Sequence, residues 1–278
     1  MGGSFLRLAR RPRFALLAAL AFVVVAVGPA GADDGLDGVL GDPGRTYPDL
    51  VPDVTEVSIA PEVLFDQATS TFYDGDPIMY FDTFSQNLGT VPVELTADDP
   101  RNITASSVSQ CVSWRAPYVC REQEQVGGFT WHDEHTHFHY EDFADYELRR
   151  FTRRGLPDFS RRGLIAVSEK VSFCLIDSTA VRPDASPVRF YNVCNPVRQG
   201  ISPGYADIYS ADLEGQNFRL PGIADGDYAL VVTMDPSNRL HESNDRNNRV
   251  VVRIRISEGA RAVSIVDRSW STSKFRRR

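Results

Sequence analysis

The chain of 278 residues carries a formal net charge of −7, and its first 32 residues hold four arginines and no acid, so the body beyond them stands at −11. A body this acidic disfavours nucleic acid as a partner, because phosphates are met by a basic face. It suits instead the attraction of cationic amines by long-range steering.

The N-terminus reads as an export signal. Arg7, Arg10, Arg11 and Arg13 precede a nearly unbroken apolar stretch over 14–27, too short for a comfortable membrane span. Ala30-Gly31-Ala32 supplies small residues for cleavage before Asp33. The expectation is a signal peptide over 1–32 and a secreted or extracytoplasmic protein. An uncleaved anchor is the alternative, and the only route by which a membrane becomes a partner. The Arg10-Arg11 pair keeps twin-arginine export open beside the general route. Residues 33–46, rich in Gly and Asp, read as a linker, 47–258 as the folded body and 259–278 as a basic C-terminal tail.

Strand-like runs recur through the body, at 56–59, 78–81, 91–95, 138–148, 170–176, 228–232 and 250–256. Turn signals such as Asp74-Gly75-Asp76-Pro77 and Asp225-Gly226-Asp227 punctuate them. Short strands between Gly, Pro and Asp predict an all-β fold with an antiparallel β-sandwich core and little helix. The body is long for one sandwich, which predicts long loops, and functional residues gather on loops.

Export permits disulfides, and the cysteines, Cys111, Cys120, Cys174 and Cys194, are even in number. Three pairings are possible. The segment between Cys111 and Cys120 could close a hairpin loop, which favours Cys111–Cys120 and with it Cys174–Cys194. No CxxC occurs, so a redox motif or a cysteine zinc site is not expected.

Four of the five histidines cluster in Trp131-His132-Asp133-Glu134-His135-Thr136-His137-Phe138-His139. His135, His137 and His139 alternate with the period of a β-strand, so all three imidazoles can leave one face together. Three neutral imidazoles converging on one point suit copper or zinc before magnesium or calcium. His132 is out of phase by strand parity and is better cast as an orienting or acid/base residue than as a ligand. The plainer alternatives are a polar run on an exposed strand and a metal held only for stability.

The lysines are only two, Lys170 and Lys274. Lys274 lies in the basic tail, whereas Lys170 opens the run Lys170-Val171-Ser172-Phe173-Cys174-Leu175-Ile176. A chain this biased toward arginine could have used it wherever charge alone was wanted. A lysine amine can lose its proton and act as a nucleophile, which guanidinium cannot. An ordinary strand-edge lysine is the alternative.

These segments together resemble a known family. Trp131-His132-x-x-His135-x-His137-x-His139, followed by Asp142-Phe143 and Tyr146-x-Leu148, is similar to the copper-binding motif of the lysyl oxidases. The resemblance continues through Lys170-x-Ser172-Phe173-Cys174-Leu175, Gln199-Gly200-Ile201-Ser202-Pro203-Gly204 and Asp207-x-Tyr209-x-Ala211-Asp212. It ends with Asp235-Pro236 and Glu242-Ser243-x-x-x-Asn247-Asn248, and Pro48-Asp49-Leu50-Val51-Pro52-Asp53 resembles the start of the family's catalytic domain.

The resemblance implies a copper amine oxidase that builds its own cofactor, lysine tyrosylquinone, here from Lys170 and Tyr209. The copper(II) ligands would be His135, His137 and His139. A primary amine, or a lysine-containing protein, would react with O₂ and water to give an aldehyde, ammonia and H₂O₂. Asp207, two residues before Tyr209 and on its face if the segment is extended, is a candidate base beside His132, with a structural carboxylate as the alternative. Tyr205 falls outside the motif position. The family also binds Ca2+, and by motif its ligands would be Asp49, the Leu50 carbonyl, Glu242, Asn247 and Asn248, all oxygen donors as calcium prefers.

The chain departs from the family in places. Asn244 stands where family members carry Asp, with Asp245 following. Glu134 and Ala180 stand where animal relatives carry cysteines, which supports pairing Cys174 with Cys194. No collagen-like or scavenger-receptor module is attached, so nothing points to collagen or elastin as substrate. The arginine-rich composition and short exported architecture fit a bacterial-type secreted member better than an animal one. The rivals are a three-histidine zinc hydrolase or lyase, which leaves Lys170 and Tyr209 unexplained, and a non-enzymatic copper-binding β-sandwich.

Overall fold

The computed structural model describes residues 46–269 apart from 103, 116, 117 and 169. The signal peptide, nearly all of the linker and the end of the tail lie outside the described residues. Within them the fold is all-β, without helix. The strands in chain order are β1 (Leu50–Asp53), β2 (Val57–Asp66), β3 (Thr71–Phe81), β4 (Thr83–Asn87), β5 (Val93–Ala97), β6 (Ala105–Arg115), β7 (Val119–His132), β8 (His137–Tyr140), β9 (Ala144–Arg150), β10 (Leu164–Val167), β11 (Thr179–Ala180), β12 (Arg198–Ile201), β13 (Tyr205–Tyr209), β14 (Asn217–Arg219), β15 (Gly226–Met234), β16 (Arg249–Ser257) and β17 (Ala262–Ser269).

They form four sheets, β1-β4-β13-β11, β10-β9-β15-β16-β17, β12-β5-β6-β7-β8 and β14-β3-β2. The chain divides into two units. The described residues of the smaller unit are Val63–Asp74, where the Asp66 carboxylate accepts from the Ala68 N–H and the Thr69 hydroxyl at 2.9 Å each. The larger unit holds everything that follows.

Composition explains the main sheet. β15 lies between β9 and β16 and reads as a nearly continuous apolar run, as a strand covered on both faces must. β16 alternates: Val250, Val252, Ile254 and Ile256 are buried on one face, and Arg253 and Arg255 are turned to the other. The four-stranded sheet packs across the core from it. Thr83 on β4 hydrogen bonds the Tyr146 hydroxyl of β9 at 3.0 Å, and the Ser85 hydroxyl donates to the Met234 sulfur of β15 at 3.4 Å.

Four details differ from the sequence expectation, one of them the run 170–176, which forms no strand. The run 138–148 splits into β8 and β9 at Glu141–Phe143, where Asp142 takes φ +55°. The signal at Asp74-Gly75-Asp76-Pro77 is not a turn. β3 runs through it, and Pro77, which has no N–H to give, accepts from the Leu220 N–H at 2.8 Å. The chain also stays ordered beyond 258, because β17 within the expected tail pairs antiparallel with β16.

Cys111 is bonded to Cys120 and Cys174 to Cys194. The first bridge closes the tip of the β6–β7 hairpin. The second ties 170–176 to the segment that leads into β12.

Candidate active site

The histidines sit where β7 turns into β8. The pair His132↔His137 closes the ladder, and Thr130↔His139 lies two pairs in. Facing residues of an antiparallel pair share a side of the sheet, so His132, His137 and His139 lie on one face, while Phe129, Phe138 and Tyr140 lie on the other and are buried.

The strand-parity expectation therefore fails for His132 and for His135. The chain turns over residues 133–136, with the His135 and Thr136 N–H groups both donating to the His132 carbonyl and Thr136 at φ +57°. His135 reaches the cluster from this turn, and His132 shares the face because parity restarts across a hairpin.

All four imidazoles converge. His139 Nε2 lies 2.9 Å from His137 Nε2 and 3.3 Å from His135 Nδ1. Nitrogens that share one cation at about 2.0–2.1 Å stand roughly 3 Å apart, so the donor set fits a copper or zinc ion. His132, His135 and His139 also offer nitrogens within 4.8 Å of one another, which makes His132 a competitor of His137. The His132 ring stacks on His139 at 4.2 Å, and its Nε2 lies 3.3 Å from both the Glu141 carboxylate and the Ser172 hydroxyl. Ser172 also lies 3.1 Å from His139 Nδ1, which leaves Nε2 of that ring for a metal.

Burial lowers the basicity of His135 and His137, and it takes His139 down to about 2, aided by the neighbouring His132 and Lys170. Neutral imidazole is the form that binds metal.

Lys170 lies beside this cluster. Its run forms no strand: only Phe173 bridges to Tyr140. From Cys174 on, the Gly200 N–H of β12 donates to the Leu175 carbonyl at 2.9 Å, and side chains supply the rest of the pairing. The Cys174 N–H donates to the Tyr209 hydroxyl at 2.8 Å, that hydroxyl donates to the Cys174 carbonyl at 2.9 Å, and the Leu175 N–H donates to Gln199 Oε1 at 3.1 Å. The Lys170 amine then lies 5.2 Å from the centre of the Tyr209 ring. Burial lowers its pKa, with Glu214 and Asp207 opposing. Burial raises the Tyr209 phenol well above its ordinary value, and Asp207 adds to the shift.

Asp207 and Tyr209 alternate on β13 and so share a face. The Asp207 carboxyl is buried and pushed up to about 8. One oxygen accepts from the Ser178 hydroxyl at 2.9 Å, and the other has no hydrogen-bond partner. Tyr205, two residues further back, donates its hydroxyl to the Ser186 carbonyl at 2.5 Å.

Far along the chain but close in space, Asp49, Leu50, Glu242, Asn247 and Asn248 cluster. Glu242 accepts from the Leu50 N–H and from the Asn248 amide, each at 2.6 Å, and the Asn247 amide donates to Asp49 at 2.8 Å. The Oδ1 atoms of Asn247 and Asn248 are buried without a partner. Burial pushes the Glu242 carboxyl up to about 8. Orphaned oxygens beside two carboxylates fit a hard cation. In an extended strand the carbonyl of a residue points the same way as its N–H, so that of Leu50 faces Glu242 too.

Sequence reasoning gave no role to Ser172, Glu141, Ser168, Glu214 or Gly215. Ser172 could have been found, since it follows Lys170 by two within the motif. Glu214 Oε2 approaches His135 Nε2 at 3.8 Å only because of a loop that no local pattern announces.

Residues 110–266 match the family model described as Lysyl oxidase. Pro48-Asp49-Leu50-Val51-Pro52-Asp53 lies outside that match. Similar proteins include the Protein-lysine 6-oxidase of Gallus gallus, 35% identical over 126 residues, which are 45% of this chain and 27% of that protein. That of Sus scrofa is 34% identical over 126 residues, 45% of this chain and 46% of its own. Lysyl oxidase homolog 1 of Homo sapiens is 35% identical over 135 residues, 48% of this chain and 21% of its own. The matched stretch thus spans less than half the length of each relative. All three are vertebrate proteins and lend no weight to a bacterial-type member.

Proposed function

The chain belongs to the lysyl oxidase family, and on that premise we propose that it is a secreted copper-dependent amine oxidase whose cofactor is lysine tyrosylquinone made from Lys170 and Tyr209. It would convert a primary amine, peptidyl lysine included, with O₂ and water into an aldehyde, ammonia and H₂O₂. The observation that carries this is the Lys170 amine standing 5.2 Å from the Tyr209 ring, close enough to the imidazoles for its charge to act on His135, His137 and His139. Export is supported by the apolar N-terminal stretch and by two disulfides, which persist outside the reducing cytosol.

His135, His137 and His139 would hold the copper, and Ser172 would orient His139. When bound, copper(II) with O₂ supplies the oxidation of a phenol ring, and the cross-linked quinone supplies the electron sink for amine oxidation. The chain's own residues prepare that chemistry. Burial of Lys170 favours its neutral, nucleophilic amine. The two bonds from Tyr209 to the Cys174 backbone fix the ring against Phe173, at 4.6 Å between centres, and burial keeps the phenol protonated. Asp207, with a pKa of about 8 and one free oxygen, suits removal of a substrate proton near neutral pH. His132, 3.3 Å from the Glu141 carboxylate, would relay protons. The Asp49, Leu50, Glu242, Asn247 and Asn248 cluster would hold calcium, with Asp245 offsetting the Asn244 departure.

Aerobic loading of the purified protein with copper tests this. A visible quinone band and amine-dependent H₂O₂ release are expected. Full copper content with neither would refute it.

A further inference from the structure

Lys170 is held from one side by a turn that follows Tyr209 directly. Tyr209 ends β13, and the chain then makes two turns, Leu213 N–H to Ser210 carbonyl at 3.0 Å and Gln216 N–H to Leu213 carbonyl at 3.2 Å. Gly215 is the third residue of the second turn, with φ +78°, the conformation that a type II turn needs there and that glycine supplies. The turn is fixed at its far end, because the Gln216 amide donates to the Tyr146 hydroxyl at 3.2 Å and the Gln216 carbonyl accepts from the Phe81 N–H at 3.2 Å.

Gly215 lies against Lys170. A Cβ on it would stand 2.7 Å from the Lys170 Cβ and 3.3 Å from its Cδ. A hydroxyl ties the two together: Ser168 Oγ donates to the Gly215 carbonyl at 2.7 Å and accepts from the Lys170 N–H at 3.1 Å.

We propose that the Leu213–Gln216 turn is a positioning latch, in which the bare Gly215 backbone and the Ser168 hydroxyl aim the Lys170 amine at Tyr209. The inference rests on Lys170 being the cofactor amine, and it adds what sets that amine's reach. Because the turn is the immediate continuation of the strand that carries Tyr209, the two cofactor residues are registered through the short stretch from Tyr209 to Gly215 and the packing of Gly215 on Lys170. Glycine is needed at 215 for two separable reasons, its left-handed backbone and its missing side chain.

Gly222 separates those reasons. It also has a positive φ, +66°, but nothing lies within 4 Å of where its Cβ would be. Gly215→Ala and Gly222→Ala therefore share the backbone strain, and only the first pushes on Lys170. Two readouts are taken on each variant, on Ser168→Ala and on wild type. One is the rate of Lys170 acylation by an amine-reactive reagent in copper-free protein, read by peptide mass. The other is the rate of Lys170–Tyr209 cross-linking after aerobic copper loading, with copper content and melting temperature alongside. Gly215→Ala and Ser168→Ala should acylate several-fold faster and cross-link several-fold more slowly than Gly222→Ala at equal copper content. Wild-type rates of acylation in Gly215→Ala, or equal changes in both glycine variants, would overturn the latch. If wild type itself never cross-links, the cofactor assignment falls, and acylation alone still decides the latch.

Discussion

The Lys170 amine stands 5.2 Å from the centre of the Tyr209 ring and 5.4 Å from that of Phe173. A half-buried cation over two aromatic faces gains from each ring, yet desolvation outweighs its acidic neighbours and lowers its pKa. The amine is thus kept near the ring and biased toward its reactive form.

Lys170→Arg keeps the charge and the aromatic contact but removes the usable nucleophile. Amine-dependent H₂O₂ release should fall to background, while copper content by metal analysis stays near that of wild type. Wild-type turnover in this variant would end the quinone mechanism.

Tyr209→Phe should also abolish turnover, because without the phenol oxygen the ring is not activated for oxidation. It leaves the buried Cys174 N–H and carbonyl unpaired, which costs about 1–3 kcal/mol. Tyr205→Phe removes a bond to the Ser186 carbonyl, should cost about 1 kcal/mol and should keep activity. Thermal melts and peroxide assays on the pair distinguish lost chemistry from lost stability.

The two possible histidine triads share His135 and His139 and differ in His137 against His132. His137→Ala should lose most bound copper, whereas His132→Ala should retain it and lose turnover. The reverse pattern of copper content would make His132 the ligand.

Calcium should act on stability in a pH-dependent way. Burial raises the Glu242 carboxyl from its ordinary 4.5 to about 8. Without a cation the folded chain therefore holds a proton that the unfolded chain has released. The stability this gives is complete below pH 4.5 and is lost as pH rises towards about 8. A bound cation favours the ionised carboxylate and reverses that loss. At a hundred-fold excess over its dissociation constant, calcium adds about 2.7 kcal/mol, or ~5–10 °C in melting temperature for a body of this size. The shift should be larger near pH 8 than near pH 6 and absent in Glu242→Ala. Equal shifts in variant and wild type would place calcium elsewhere.

The strands that carry most of the core were legible because their patterns are local. β15 and β16 read directly from an apolar run and an alternating one. The histidine site was legible in composition but not in geometry, since parity counting assumes one strand and the chain instead turns over residues 133–136. The run from Lys170 has strand composition yet forms none, because the Tyr209 and Gln199 side chains take the Cys174 and Leu175 N–H groups that a ladder would use. Such non-local partners leave no trace in a window of neighbouring residues. The same holds for Gly215, whose requirement comes from a lysine on another segment.

The most direct test of the central claim is peptide mapping of the copper-loaded, air-exposed protein beside Lys170→Arg. Wild type should yield one peptide that joins the segments of Lys170 and Tyr209 and disappears in the variant. Recovery of both segments unlinked from wild type, at full copper content, would contradict it.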